Sequence, residues 1–229
     1  MIRLKNLTRT HRQGSSQVFT LRDVSLDVPA GQFVTLVGPS GAGKTTLLHI
    51  LGLLDAPTSG TYELDEVEVS NLSEKQRTAY HRDAIGFVFQ AYHLIDDLTV
   101  AENIEAPLRY AKVPRAERQG RVAEMLDRFG LSARADLFPP QLSGGQQQLV
   151  GVARALVIRP KLVLADEPTG NLHARDGQAV MDALHELHDE GVTIVHVTHN
   201  PAWEAYGQRT VELEDGRIVR DEMVEVAVA

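Results

Sequence analysis

The run Gly38-Pro39-Ser40-Gly41-Ala42-Gly43-Lys44-Thr45 constrains this chain more than any other stretch. It matches the spacing G-x-x-x-x-G-K-[ST], in which glycines let backbone N–H groups turn inward around phosphate oxygens. Such a loop works only after a strand and at the start of a helix, where the helix N-terminus adds partial positive charge. Both flanks are present. Gln32 to Val37 is a short apolar, β-branched run, and Thr45 to Leu54 is leucine-rich with helical spacing. The pattern predicts a nucleoside triphosphate site with Lys44 reaching the β and γ phosphates. The Thr45 hydroxyl is placed to ligate magnesium, with Thr46 following it into the helix.

The rest of the composition narrows the class. The chain has 229 residues, enough for a sizeable core without disulfides, and no cysteine, which removes a thiol nucleophile and a Cys-ligated zinc site. With 23 Lys and Arg against 31 Asp and Glu the net charge is −8, which argues against a nucleic-acid partner. Charges interrupt the apolar residues of Met1 to Asn6, so no secretory leader is expected. Leu47 to Leu54 is too short and too broken to cross a bilayer, so a membrane role has to come through a partner.

Strand and helix patterns alternate again late in the chain. Leu162 to Ala165 reads as a strand, Gln178 to Glu190 as a helix and Val192 to Val197 as a strand, which implies a parallel sheet with right-handed crossovers. Leu21 to Val28 and Gly60 to Val69 carry the alternation of antiparallel strands, the second after the turn Pro57-Thr58-Ser59-Gly60. From about 74 to 156 the character is helical, with Val100 to Arg109, Arg115 to Phe129 and Gln146 to Val157 separated by Pro114, Gly130 and Pro139-Pro140. The residues after the turn Glu214-Asp215-Gly216 read as a final edge strand or a frayed tail.

The apolar strand Leu162 to Ala165 runs into Asp166 and Glu167. Parallel strands place ligand-binding residues at their carboxyl ends, so both acids are expected in the crevice of the phosphate loop. Asp166 fits a magnesium partner of Thr45, and Glu167 is placed to orient or deprotonate an attacking water.

With these two elements goes Leu142-Ser143-Gly144-Gly145-Gln146, ahead of a helix. Together they resemble the ATP-binding subunits of ABC transporters over nearly the whole chain. The resemblance implies an α/β fold: a P-loop NTPase ABC ATPase core (about 1–85 and 157–229) with an antiparallel β subdomain and a helical insertion subdomain (about 86–156). It implies that Ser143, Gly144, Gly145 and Gln146 bind the γ-phosphate held by a second subunit. Gln90 corresponds to the glutamine that contacts magnesium and water and links the site to the membrane partner. His199 corresponds to the histidine that senses the γ-phosphate, and Gly170-Asn171-Leu172-His173 to the loop joining the two sites.

Two positions depart from the family pattern. His173 stands where relatives usually carry aspartate, which puts coupling between the two sites in doubt. His11 stands where a tyrosine usually stacks on adenine, with Phe19 a nearby substitute. The close pairs His185/His188 and His196/His199 invite a metal reading, but strand alternation sets the second pair on opposite faces, and the first belongs more simply to an exposed helix face.

The stretch from Gly86 to Asn103 and Pro168-Thr169-Gly170-Asn171-Leu172 is similar to the branch that includes the MacB and LolD ATPases. That implies a magnesium-dependent ATPase working as a homodimer beneath a separately encoded integral permease, at the cytoplasmic face of the inner membrane. Its cargo would be lipoprotein, peptide or drug, or its task mechanotransmission. Asp96 and Asp97 are expected near the permease contact. The competing readings are a non-hydrolysing or soluble regulatory ATP-binding protein and a cytosolic ATPase of DNA repair or translation.

Overall fold

The computed structural model describes residues 1–14 and 16–224. In chain order its elements are β1 (Ile2–Gln13), β2 (Ser16–Val28), β3 (Phe33–Val37), α1 (Lys44–Leu51), β4 (Ser59–Leu64), β5 (Val67–Glu68), α2 (Glu74–Ala84), β6 (Ile85–Val88), α3 (Val100–Tyr110) and α4 (Arg115–Arg128). There follow α5 (Gly144–Leu156), β7 (Leu162–Asp166), α6 (Ala174–Asp189), β8 (Thr193–Val197), α7 (Pro201–Glu204), β9 (Arg209–Glu214) and β10 (Arg217–Met223).

The central sheet has the order β10-β9-β3-β8-β7-β6. Its strands β9, β3, β8, β7 and β6 are parallel, and β10 closes one edge antiparallel to β9. Every residue of β3, β8 and β6 is buried, as expected where both faces of a parallel sheet are covered. Alternate side chains supply two cores. Val34, Leu36, Leu164, Val195 and Val197 pack with α1 and the antiparallel sheet β2-β1-β4-β5. Phe33, Val163, Ala165 and Ile194 pack on the other face with residues of α3, α4, α5 and α6.

Several elements differ from the sequence expectation, each for a local reason. Strand β1 was not foreseen: Ile2 and Leu4 are buried in alternation with exposed Arg3 and Lys5, but a bulge at Asn6 (φ 48°) shifts the phase so that Leu7 is the next buried residue. Strand β2 starts at Ser16, five residues before Leu21, because Ser16 to Phe19 are exposed and show no alternation. The strand expected over Gly60 to Val69 is two strands joined at Asp65 and Glu66, both with positive φ. Within the stretch read as helical lies β6, four buried residues that pair with β7. Helix α1 stops at Leu51 and not at Leu54, since Leu53 has φ 56°. Helix α6 begins at Ala174, ahead of Gln178, its first turn carrying exposed Ala174 and Arg175 and the weak helix former Gly177, so no apolar period marks it. Strand β10 forms the final edge strand, and the tail 225–229 lies outside the described residues.

Candidate functional site

The loop after β3 is shaped by close approach. Gly43 has φ 102°, and a Cβ there would meet the Thr20 carbonyl and the Leu21 side chain. Gly38 (φ 139°) has no room for one against the Leu213 backbone. The loop is therefore wedged between β2 and β9, with Ala42 buried and its carbonyl accepting from Gly216 N at 3.1 Å. Lys44 folds back over it: Nζ donates to the carbonyls of Gly38 (2.8 Å) and Pro39 (2.9 Å).

Three carboxyl ends of the central sheet converge on this loop. A cleft of about 440 Å³ is lined by Gly38, Ser40, Gly41, Gly43, Lys44, Thr45 and Thr46 from the loop and α1. Gln90 follows β6, Asp166 and Glu167 end β7, and His199 follows β8. Thr45 Oγ1 donates to Asp166 Oδ1 at 3.3 Å. Burial, with the neighbouring Glu167 carboxylate, pushes the Asp166 carboxyl above its usual range, while Thr45, His49 and Lys44 pull it back. Such a desolvated acid beside a hydroxyl is an all-oxygen donor set, and it fits a magnesium ion.

Glu167 sits in the left-handed region (φ 47°), a costly conformation for a non-glycine residue. It is held by its own N–H on the Val197 carbonyl (3.0 Å) and by its carbonyl accepting from Gly170 N (3.0 Å). The turn aims its carboxylate at His199, whose Nδ1 lies 2.7 Å from Oε1. The His199 side chain is 68% exposed and that of Glu167 15%, so the pair spans the lip and the floor of the cleft.

The remaining candidates lie elsewhere. Ser143, Gly144, Gly145 and Gln146 open α5 and do not line this cleft. Ser143 Oγ accepts from Gln146 N (3.3 Å) and Gln146 Oε1 from Ser143 N (3.0 Å), a capping box that leaves the serine proton free to donate. His11 pairs with Val18 and Thr10 with Phe19, so the two candidates lie on opposite faces of the hairpin, and a register shift at Thr20, which lines the cleft, separates both from it. Phe19 falls on the other face, with the Arg22 guanidinium 5.0 Å from its ring. Of the histidine pairs, His196 is buried in the sheet with both ring nitrogens unpartnered, whereas His199 opens to the cleft. His173 caps α6 without a side-chain bond.

Thr20 is a cleft residue that the sequence reading missed, since only the tertiary approach of β2 to the loop marks it. Gln148 and Arg154 were missed as well. Both are polar on a buried helix face, which was the available signal, and both hold carbonyls of the segment around Gln90.

Residues 21–170 match the sequence profile described as ABC transporter. The chain is 47% identical over 221 residues to the macrolide export ATP-binding/permease protein MacB of Salmonella typhi, a match covering 96% of this chain and 34% of that protein. It thus spans about a third of the length of the MacB relatives. The ABC transporter ATP-binding protein YvrO of Bacillus subtilis is 42% identical over 229 residues, 100% of both chains. A dimeric structure of the bacterial ABC transporter cassette MJ0796 superposes with TM-score 0.92 at 42% identity, covering 98% of this chain and 99% of that one. Another dimer, in a post-hydrolysis state with ADP and Pi, gives 0.92 at 40% over the same shares. A profile match over most of the chain and end-to-end similarity to a cassette of this kind leave one assignment: the chain belongs to the ABC transporter family, as one of its ATP-binding cassettes.

Proposed function

We propose that this cassette hydrolyses ATP as one half of a homodimer and thereby drives a separate membrane permease of MacB/LolD type. The observation that carries the reading is the 2.7 Å contact between Glu167 and His199 at the mouth of a cleft floored by the glycine loop. Lys44 leaves the Gly38 and Pro39 carbonyls for the β and γ phosphates, and the loop N–H groups take their oxygens. His11 stacks on the adenine. Thr45, Asp166 and Gln90 hold magnesium, whose charge offsets that of the phosphates. Glu167 accepts a proton from the attacking water as it adds to the terminal phosphorus and the bond to the β-phosphate oxygen breaks, leaving ADP and phosphate. Held through Nδ1 by Glu167, His199 presents Nε2 to the terminal phosphate. Ser143 to Gln146 close the partner's nucleotide with the free serine proton and the α5 N-terminus.

We assign the core to about 1–85 and 157–229 and the helical subdomain to about 86–156. Among the described residues no helix is long and apolar enough to cross a membrane. A groove of about 520 Å³ lies beside the Gln90 segment, lined by Phe87, Phe89, Ile95, Pro107, Tyr110 and Ile158. Tyr110 is 78% exposed and Ile95 49%. This apolar surface next to Asp96 and Asp97 suits a cytoplasmic helix of the permease, seating the cassette peripherally at the inner face of the membrane. The cargo is lipoprotein, peptide or drug, or the work is mechanotransmission.

The test is capture of tagged Glu167→Gln protein from detergent-solubilised native membranes with ATP. Recovery of a permease with few spans and a large extracytoplasmic domain supports the reading. Protein found only in the soluble fraction overturns it in favour of a regulatory ATP-binding protein.

A further inference from the structure

Helix α5 carries the Ser143 end of the site at its N-terminus, and two of its other side chains reach the segment that carries Gln90. Gln148 is 1% exposed; its Nε2 donates to the Phe89 carbonyl at 3.1 Å, and its Oε1 has no partner. An apolar residue would fill this space without stranding an acceptor, so packing alone does not account for the amide. Arg154, in the last turn, donates from Nη1 to the His93 carbonyl (2.6 Å) and from Nη2 to the Tyr92 carbonyl (2.9 Å). The planar guanidinium fixes two consecutive carbonyls at once, which a single-point donor does less well. His93 has φ 46°, so this turn is held in a conformation it would not choose alone.

Gln90 lies between these anchor points, Phe89 on one side and Tyr92 and His93 on the other. Its own carbonyl accepts from Asn171 Nδ2 at 3.3 Å, tying it to the loop before α6. The Tyr92 hydroxyl closes over the other end of α5, where a Cβ on Gly144 would come within 2.8 Å of it. The Gln90 segment is thus gripped along the whole length of α5, roughly 16 Å from Ser143 to Arg154 at the helical rise.

We propose that Arg154 and Gln148 are positioning residues for Gln90. The helix that reads the partner's nucleotide through Ser143 carries, by these two side chains, the segment that sets Gln90 over its own chain's nucleotide. Closure at one site is thereby transmitted to the water and metal geometry of the other. The inference rests on the dimeric ATPase reading and adds the residues that couple its two sites.

Steady-state ATP hydrolysis and thermal melting are to be measured on wild type, Arg154→Met, Arg154→Lys, Gln148→Met, Gln90→Ala and the double variant Gln90→Ala/Arg154→Met. Loss of an orienting partner lowers kcat about tenfold in Arg154→Met and Gln148→Met, with KM for ATP changed by less than about twofold. Arg154→Lys recovers part of the loss. On the Gln90→Ala background Arg154→Met costs no more than about a further twofold, since both act through one group. Multiplicative losses in the double variant, or a fall in kcat that follows only a lowered melting temperature and is not relieved by lysine, overturn the positioning role. A wild-type kcat in Gln90→Ala overturns both the role of Gln90 and the clamp. Absence of an ATP-driven dimer in Glu167→Gln protein, read by gel filtration, overturns the dimer reading and with it the transmission from Ser143.

Discussion

Glu167 Oε1 and His199 Nδ1 meet at 2.7 Å across the ends of two adjacent parallel strands, β7 and β8. The contact fixes the direction of the Glu167 carboxylate, which the proposed mechanism uses as the base. Glu167→Gln keeps the shape and removes the proton acceptor; it should lower kcat by about 100-fold or more while leaving ATP binding within a few fold. His199→Ala removes the orienting partner and should also lower kcat, by less than Glu167→Gln. Retained turnover in Glu167→Gln, measured by phosphate release, would show that another group takes the proton.

Lys44 is engaged on the Gly38 and Pro39 carbonyls, a placement that neutral main-chain acceptors cannot make as favourable as phosphate. Lys44→Met leaves the loop backbone intact and removes the charge. It should weaken ATP binding by roughly 10- to 100-fold, the size of a charge-assisted hydrogen bond, with little change in melting temperature. Equal affinity of both proteins for a fluorescent ATP analogue would count against the assigned role of Lys44.

How much of this was legible in the sequence depends on how local the constraint is. The loop from Gly38 to Thr45 and the acids Asp166-Glu167 stand out because phosphate chemistry fixes residue type and spacing within a few positions, and the fold then brings them into one cleft. Strand β1 hides because the bulge at Asn6 breaks its alternation, and β6 because four buried residues carry no period. His11 and Phe19 are not separated by the sequence, because the register shift beside the cleft-lining Thr20 that sets their faces arises only when β1 and β2 pair. The bonds from Arg154 to Tyr92 and His93 span about sixty residues, and nothing at either end announces the other.

His173 occupies the N-cap of α6 with φ −66° and ψ 152°, suitable cap geometry, yet its side chain bonds no backbone N–H. Aspartate there can accept from the first turn and sit favourably at the helix N-terminus. His173→Asp should stabilise the protein by about 1 kcal/mol, a rise of about 2–4 °C in melting temperature for a chain of this size. It also puts a negative charge in the loop that the proposed function sets between the two sites, so ATP hydrolysis should rise. An unchanged melting curve at neutral pH would mean that the cap is not formed.

His196 is fully buried on β8, its ring edge-on to Phe33, with neither nitrogen bonded. Burial lowers its pKa to about 3, so the folded protein keeps it neutral. In the unfolded chain the same imidazole takes a proton below about pH 6.5. The unfolded state therefore binds more protons, and stability falls with pH from about 6.5 downward until the folded-state value near 3 is reached. At pH 5 this single group should have cost about 2 kcal/mol relative to pH 7.5, from the 1.5-unit gap to the unfolded value. His196→Leu removes the titration at similar volume. Its loss of stability between pH 7.5 and 5, measured by urea unfolding, should be smaller than that of wild type by this amount. The same pH dependence in both proteins would mean that the imidazole finds a partner or water in the folded state.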